Sequence, residues 1–318
     1  MERSSGPPQI TIVTPVLNGA AHIADALQSV ADQTLPPAEH LVFDAGSTDG
    51  TQDVVRRFAH CTLIEETDAG AHDAMNKGIG RAAGSLIGFL NADDRYEPEA
   101  FAQVAQVFES DPAAEMVLVG STVVAREGED KALLIERRPA PGSATDLAAL
   151  AFGVPCINAR FFRRALLERL SGFDNRYYIS ADRHMLLRAA LQGVRAREIP
   201  SVLFEYRVHP GSLTLAPSVQ ARAQIIDEHI TMVEELLAKG DMPRDSRRLL
   251  RDWQTYERLR RRAGRRAGRR PAHPALPLLM ASLARPKVWP ALVRAAVRKL
   301  RLAATETRAP DATKILRA

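Results

Sequence analysis

Residues 86–94 read Leu86-Ile87-Gly88-Phe89-Leu90-Asn91-Ala92-Asp93-Asp94, an apolar run that ends in two adjacent carboxylates. A short uncharged run closed by polar residues suits a strand covered on both faces, the form taken by strands of a parallel sheet. Such a strand delivers Asp93 and Asp94 to a sheet edge, where hard carboxylate oxygens can hold a divalent cation against a diphosphate. Acid pairs at loop tips are also common as solvated turns, so the neighbouring segments decide between the readings.

The same pattern repeats upstream. Ile10-Thr11-Ile12-Val13-Thr14-Pro15 is a β-branched run ended by proline, which predicts a first buried strand. Ile23, Ala26, Leu27 and Val30 recur at helical spacing and predict a helix over 20–31, which Pro36-Pro37 prevents from continuing. His40-Leu41-Val42-Phe43 predicts a second strand, which runs into the turn-rich Asp44-Ala45-Gly46-Ser47-Thr48-Asp49-Gly50 and a helix over 51–58. Cys61–Glu65 predicts a third strand, and 72–83 a helix. Further on, the pattern predicts a helix over 98–109, a strand at 115–119, a loop at 139–142, helices over 160–170 and 181–192, and a strand at 202–206. Alternating strands and helices predict an α/β fold with a Rossmann-like, doubly wound, mostly parallel sheet, whose ligands collect at the carboxyl ends of the strands. The polar clusters after Val13, Phe43 and Leu90 all fall at that edge.

At 318 residues the chain can bury one full α/β core and still extend beyond it. Its two cysteines, Cys61 and Cys156, lie far apart, and the first residues carry no secretory pattern, so a cytoplasmic location is expected. No apolar run approaches the ~20 residues of a spanning helix. The net charge of +5 conceals an asymmetry: residues 244–301 hold 18 Lys and Arg against 3 Asp and Glu, whereas residues 1–243 hold 22 against 33. An acidic catalytic body is expected to carry a basic extension.

The chain resembles the inverting glycosyltransferases of family 2, which have the GT-A fold, and among them bacterial enzymes of exopolysaccharide or O-antigen assembly. The resemblance rests on Thr14-Pro15-Val16-Leu17-Asn18, Asp44 to Thr51, Asp68-Ala69-Gly70-Ala71-His72-Asp73-Ala74-Met75-Asn76-Lys77-Gly78, Leu90 to Asp94, Gly172-Phe173-Asp174 and Ala181-Asp182. It covers roughly residues 9–215. It implies a GT-A domain over 1–215, with 216–318 as a helical, strongly basic extension. It also implies transfer of a sugar from a nucleoside diphosphate sugar to a hydroxyl of a sugar or lipid-linked sugar, with Mg²⁺ or Mn²⁺ as cofactor.

The resemblance assigns roles residue by residue. Asp93 becomes the main metal contact, with Asp94 second and His209 a further candidate. Asn91 stands where the family's metal-binding motif has its first acid. Asp44 is the base-contacting acid, although Ser47, Thr48 and Asp49 fit helix capping nearly as well. Thr14, Pro15, Asn18, Asp68, Asp73, Asn76, Lys77 and Asn91 fall beside the nucleotide sugar, with a surface helix cap as the plainer reading of 68–77. Asp182 matches the catalytic base and opens a predicted helix, whose amino terminus stabilises a carboxylate. The acid that often precedes it is Ala181 here. Cys156-Ile157-Asn158-Ala159-Arg160 replaces the His-Gln pair of close relatives, so acceptor specificity does not transfer.

Arg258, Arg260, Arg261, Arg262, Arg265, Arg266, Arg269 and Arg270 form a cationic block. Residues 290–302 place Leu292, Val293, Ala296, Val297 and Leu300 on one helical side, with Arg294, Arg298, Lys299 and Arg301 elsewhere. A basic amphipathic helix can rest on an anionic membrane surface, each cation contributing ~1 kcal/mol, which would place the enzyme peripherally on the inner face of the cell membrane. A solvated bundle edge is the rival reading, and nucleic-acid contact the weakest. Two other functions stay open from the residues: a sugar-phosphate nucleotidyltransferase, whose Gly-rich, Arg-containing loop is missing after the first strand, and a non-catalytic basic adaptor.

Overall fold

β1 (Ile10–Val16) is buried along its whole length and lies between two parallel neighbours, β2 (Glu39–Asp44) and β4 (Leu86–Phe89). Pro15 falls beyond Val13, the last residue of β1 paired with β4, so its missing N–H removes nothing from that ladder. β3 (Cys61–Glu65) pairs with β2 and completes a parallel half-sheet in the order β4-β1-β2-β3. The computed structural model describes residues 8–127, 130–209, 219–239, 241–267, 289–304 and 306–308.

Three helices connect these strands: α1 (Ile23–Ala31), α2 (Thr51–Val55) and α3 (Ala71–Arg81). α1 buries Ile23, Ala26, Leu27 and Val30, the positions that its spacing predicts. α3 lies so close to β1 that a Cβ on Gly78 would stand 2.4 Å from a Val13 methyl, so glycine sets the helix–sheet distance there. The α/β expectation is met: strands and helices alternate, and the parallel strands point their carboxyl ends at a common edge.

Beyond β4 the sheet changes character. The short β5 (Arg95–Tyr96) and α4 (Ala100–Ser110) lead to β6 (Met116–Glu127) and β7 (Asp130–Arg137), which pair antiparallel. α5 (Leu147–Phe152) follows β7. Residues 160–170 were predicted as one helix, but Arg160–Arg163 form β8, followed by the brief α6 (Arg164–Arg169). β8 inserts antiparallel between β4 and β6, and Phe161 and Phe162 are both fully buried, on opposite faces of the sheet. Two consecutive aromatics within a short segment fit a helix or a doubly covered strand equally well by periodicity. α7 (Ala181–Leu191) and the long β9 (Ala196–Val208) follow, β9 running parallel to β6 and antiparallel to β5.

The C-terminal residues form α8 (Val219–Ala238), α9 (Arg244–Ala267), α10 (Trp289–Ala304) and β10 (Glu306–Arg308), the last antiparallel to β7. Met232, Val233, Leu236, Leu250, Trp253 and Ala295 join one core cluster with Leu150, Ala151 and Leu186. Part of the basic block is engaged in ion pairs. Arg294 and Arg298 reach the buried Asp252 at 2.6 and 2.9 Å, Arg260 pairs with Glu257, and Arg258 pairs with Glu234. Val293 and Val297 of the predicted apolar side face outward, 54% and 41% exposed. Arg269 and Arg270 lie outside the described residues.

Candidate active site

The carboxyl ends of β1 and β4, the start of α3, the start of α7 and the end of β9 enclose a cleft of about 410 Å³. Of the residues singled out in the sequence, Pro15, Asn18, Asn91, Asp93, Asp182 and His209 line it. They come from four separate stretches of chain, which only the sheet topology brings together. A broader groove of about 630 Å³ lies against α8 and includes Arg176, Asp227 and Glu235, with none of these groups in its lining.

Asp93 sits at the cleft floor with its Oδ2 2.8 Å from His209 Nε2. The His209 ring lies 5.1 Å from that of His22, which in turn bonds the guanidinium of Arg207 at 3.0 Å. Burial, with help from Arg207 and His209, pushes the His22 pKa down, so this imidazole is neutral at pH 7. Arg207 also reaches Asp25 at 2.6 Å and thereby ties the end of β9 to α1.

Asp94, expected as the second metal ligand, has both carboxylate oxygens engaged within the protein. It is 1% exposed; Oδ1 accepts the Arg207 backbone N–H, and Oδ2 accepts from Asn158 and Asn91. Burial, followed by the neighbouring Asp93 charge, raises its pKa well above the carboxylate range. With its oxygens engaged inside the protein, Asp94 pins the loop after β4 to β9. Asp93, one residue earlier, is left to face the cleft.

Asp182 lies in the first turn of α7 and accepts the N–H of Arg183 at 2.6 Å. The segment before it is held from an unexpected quarter. The successive backbone N–H groups of Tyr178, Ile179 and Ser180 converge on the carboxylate of Glu228, in α8, at 2.9–3.3 Å. Three consecutive amides around one carboxylate form an anion nest, occupied here by a side chain of the same protein. Arg183 points the other way, donating to the carbonyls of Leu150, Ala151 and Gly153 at the end of α5. The Asp182 turn is therefore fixed from both sides.

Asp44 is fully buried beside the cleft. Its Oδ1 accepts from the N–H groups of Gly46 and Ser47 and from Gln52, while its Oδ2 has no hydrogen-bond partner. Burial raises its pKa, but hydrogen bonds from Ser47, Gln52 and Gly46 outweigh that and hold it below the usual range. Asn18, in a left-handed conformation at φ 53°, links this turn to the cleft by accepting the Thr48 N–H and donating its own N–H to Ser47 Oγ. Asp49 accepts from Thr51 and from the Ala20 backbone and acts as an anchor of the turn.

Several other predicted contacts point elsewhere. Thr14 is buried, its hydroxyl 2.9 Å from His40 Nε2 within the sheet. Asp68 closes a local turn onto the Gly70 N–H, and Asp73 accepts from Ala69 and Asn175. Asn76 grips the loop before α7, bonding both backbone polar groups of Phe173 at 2.8 Å, and a Cβ on Gly172 would lie 2.2 Å from its Oδ1. Lys77 is held by the Thr67 carbonyl and Glu66. The 68–77 stretch thus lends the cleft a wall, through His72 and Met75, while its polar side chains brace that wall.

Sequence reasoning missed Glu228, Asn158 and Arg207 as supports of the site. Glu228 stands in no motif, the segment holding Asn158 was read only for acceptor specificity, and each of the three acts on groups more than 45 residues away.

A family model described as "Glycosyl transferase family 2" matches residues 11–171. A PGL/p-HBAD biosynthesis glycosyltransferase of Mycobacterium tuberculosis is 35% identical over 183 residues, 55% of this chain and 67% of the relative. A glycosyltransferase of Nostoc, itself uncharacterized, is 26% identical over 213 residues, 63% of this chain and 65% of the relative. Among solved structures, S. aureus TarS 1–349 in complex with UDP-GlcNAc aligns with a TM-score of 0.61 at 17% identity, covering 79% of this chain and 72% of that one. The mannosyltransferase PcManGT from Pyrobaculum calidifontis, in complex with GDP-Man and Mn²⁺, aligns with a TM-score of 0.58 at 23% identity, covering 93% and 88%. At these identities the structures establish a shared GT-A fold.

Proposed function

The chain belongs to glycosyl transferase family 2 and is a glycosyltransferase, and from that premise we propose a metal-dependent, inverting transfer from a nucleoside diphosphate sugar, with Asp182 as base. The observation that carries this reading is that Asp93 and Asp182 line one cleft at the carboxyl edge of the parallel strands. The ligands of the two solved relatives, UDP-GlcNAc and GDP-Man, support a nucleotide-linked donor. Asp44, buried at the carboxyl end of β2 with its Oδ2 unpartnered, keeps the nucleobase contact that the family resemblance assigns it.

Asp93 and His209 fit a divalent cation: one hard carboxylate and one imidazole nitrogen, 2.8 Å apart and facing a cleft, leave coordination positions for phosphate oxygens. Bound there, Mg²⁺ or Mn²⁺ would neutralise charge on the leaving diphosphate. The Asp182 carboxylate takes the proton of the acceptor hydroxyl as its oxygen attacks the anomeric carbon. The bond from that carbon to the β-phosphate oxygen breaks on the opposite face, the nucleoside diphosphate leaves with the bond electrons, and the configuration inverts. No enzyme nucleophile takes part.

In this reading residues 1–215 carry the chemistry, and 216–318 form the basic helical extension that braces it. The outward Val293 and Val297, on an extension with a strong excess of basic residues, suit an anionic membrane surface, and with it a lipid-linked acceptor in bacterial surface polysaccharide assembly. Among the described residues no helix is long and apolar enough to cross a membrane. The test is Asp182→Asn assayed with radiolabelled UDP and GDP sugars and Mn²⁺. Transfer should fall by at least ~10²-fold, the contribution of a positioned base, with donor affinity unchanged. Near-normal turnover in this variant would refute the assignment.

A further inference from the structure

At the opposite end of β2 from Asp44, three side chains converge that the transfer chemistry does not use. His40, Cys61 and His60 bring His40 Nδ1 to 3.6 Å and His60 Nε2 to 3.4 Å from the Cys61 sulfur, with all three ligand atoms within 4.8 Å of one another. His40 and Cys61 are register partners of β2 and β3, so a regular backbone holds two of the three. We propose that His40, His60 and Cys61 form a binding site for a thiophilic divalent cation, Zn²⁺ by preference, distinct from the catalytic cleft.

The distances match a coordination polyhedron. Zinc bonds of ~2.3 Å to sulfur and ~2.0–2.1 Å to nitrogen, at a tetrahedral angle, separate the two donor atoms by about 3.5 Å. The observed separations bracket that value. Each ring is also held from outside the cluster: His40 Nε2 lies 2.9 Å from the Thr14 hydroxyl, and the His60 ring is bonded to the backbone of Leu27 in α1. Partners of this kind fix the orientation of metal-bound imidazoles. Two nitrogens and a thiolate with no carboxylate favour zinc over the magnesium or manganese expected at Asp93.

His40 is buried and held neutral, its pKa pushed down to about 3, so it offers a lone pair at any working pH. Burial raises the Cys61 thiol to about 12. The cation therefore displaces the thiol proton to solvent as the metal–sulfur bond forms. Cys61 and His60 are only partly buried, which leaves an approach for the ion and a fourth position for water. The site is four residues back along β2 from Asp44, roughly 13 Å at strand spacing.

Cobalt(II) titration of the full chain tests this, because a thiolate-to-cobalt charge-transfer band arises only when sulfur is a ligand. Wild type should bind cobalt with that band and lose it on adding Zn²⁺. Cys61→Ser should abolish the band, and His60→Ala should weaken cobalt binding at least ~10-fold. Asp93→Ala and Cys156→Ser should keep the band, which separates this site from the catalytic cleft and from the other thiol. Absence of the band in wild type overturns the proposal, as does its survival in Cys61→Ser or its loss in Asp93→Ala. His60→Ala, at a partly exposed position, serves as the second variant if Cys61→Ser does not fold.

Discussion

Glu228→Gln isolates what α8 contributes to the chemistry. The carboxylate is 9% exposed and receives four hydrogen bonds of 2.9–3.3 Å from three successive amides, with Gln224 donating a further one at 3.0 Å. Glutamine keeps the size and one acceptor oxygen, but its NH₂ group must face N–H donors, and the negative charge is lost. Hydrogen bonds to charged groups contribute about 1.5–3 kcal/mol each, and a donor left facing a donor loses its bond outright. A loss of about 3 kcal/mol in anchoring the 178–180 segment is therefore expected. Ser180 is the residue before α7, so the Asp182 carboxylate shifts with that segment. Displacement of a catalytic group by ~1 Å lowers turnover about 100-fold, the equivalent of about 2.7 kcal/mol. The assay is steady-state transfer with donor and acceptor varied separately. kcat should drop about 100-fold, while the KM for donor, proposed above to bind across the β1 and β4 edge, changes little. A kcat within twofold of wild type in a folded Glu228→Gln protein would refute the reasoning.

Three further outcomes follow from the site. Asp93→Ala should remove the dependence of nucleotide affinity on Mn²⁺, measured by calorimetry with and without chelator; persistence of a chelator effect counts against Asp93 as ligand. The Asp44 carboxyl, held below its unfolded pKa, stabilises its turn fully above about pH 4, and that contribution disappears as pH falls through the depressed value. Removing one donor with Gln52→Ala should therefore move the acid-unfolding midpoint to higher pH in a circular dichroism titration, and an unchanged midpoint would show that Gln52 does not hold the ionised form. On α10, Val293→Asp with Val297→Asp should reduce flotation of the chain with anionic vesicles, whereas equal flotation would assign membrane contact elsewhere.

The parallel half of the sheet was legible because each of its strands carries a local signal. β1, β2 and β4 are short apolar runs that end in polar residues, and the strand prediction at 61–65 coincides with β3. The antiparallel insertion of β8 was not legible, since Arg160–Arg163 is too short for periodicity to separate a strand from a helix, and its pairing with β4 and β6 is a long-range fact. The same division runs through the site. Asp93 and Asp182 were singled out from motif and position, and both line the cleft because the backbone edge that presents them is itself a local feature. Asp94 was read as the second metal contact because one dimension shows only two adjacent acids, while the strand end turns Asp93 to the cleft and engages Asp94 with Asn158 and Arg207. Asn76 and Lys77 were read as ligands for a related reason: polar side chains along a helix face suit a substrate or a neighbouring loop, and only the position of Phe173 and Glu66 decides. Glu228 shows the limit most plainly. Nothing in a glutamate on an amphipathic helix marks it as the anchor of the Asp182 turn, since that role exists only once α8 has docked. Local sequence specifies which groups can do the chemistry, whereas the supports that hold them in register are set by tertiary packing.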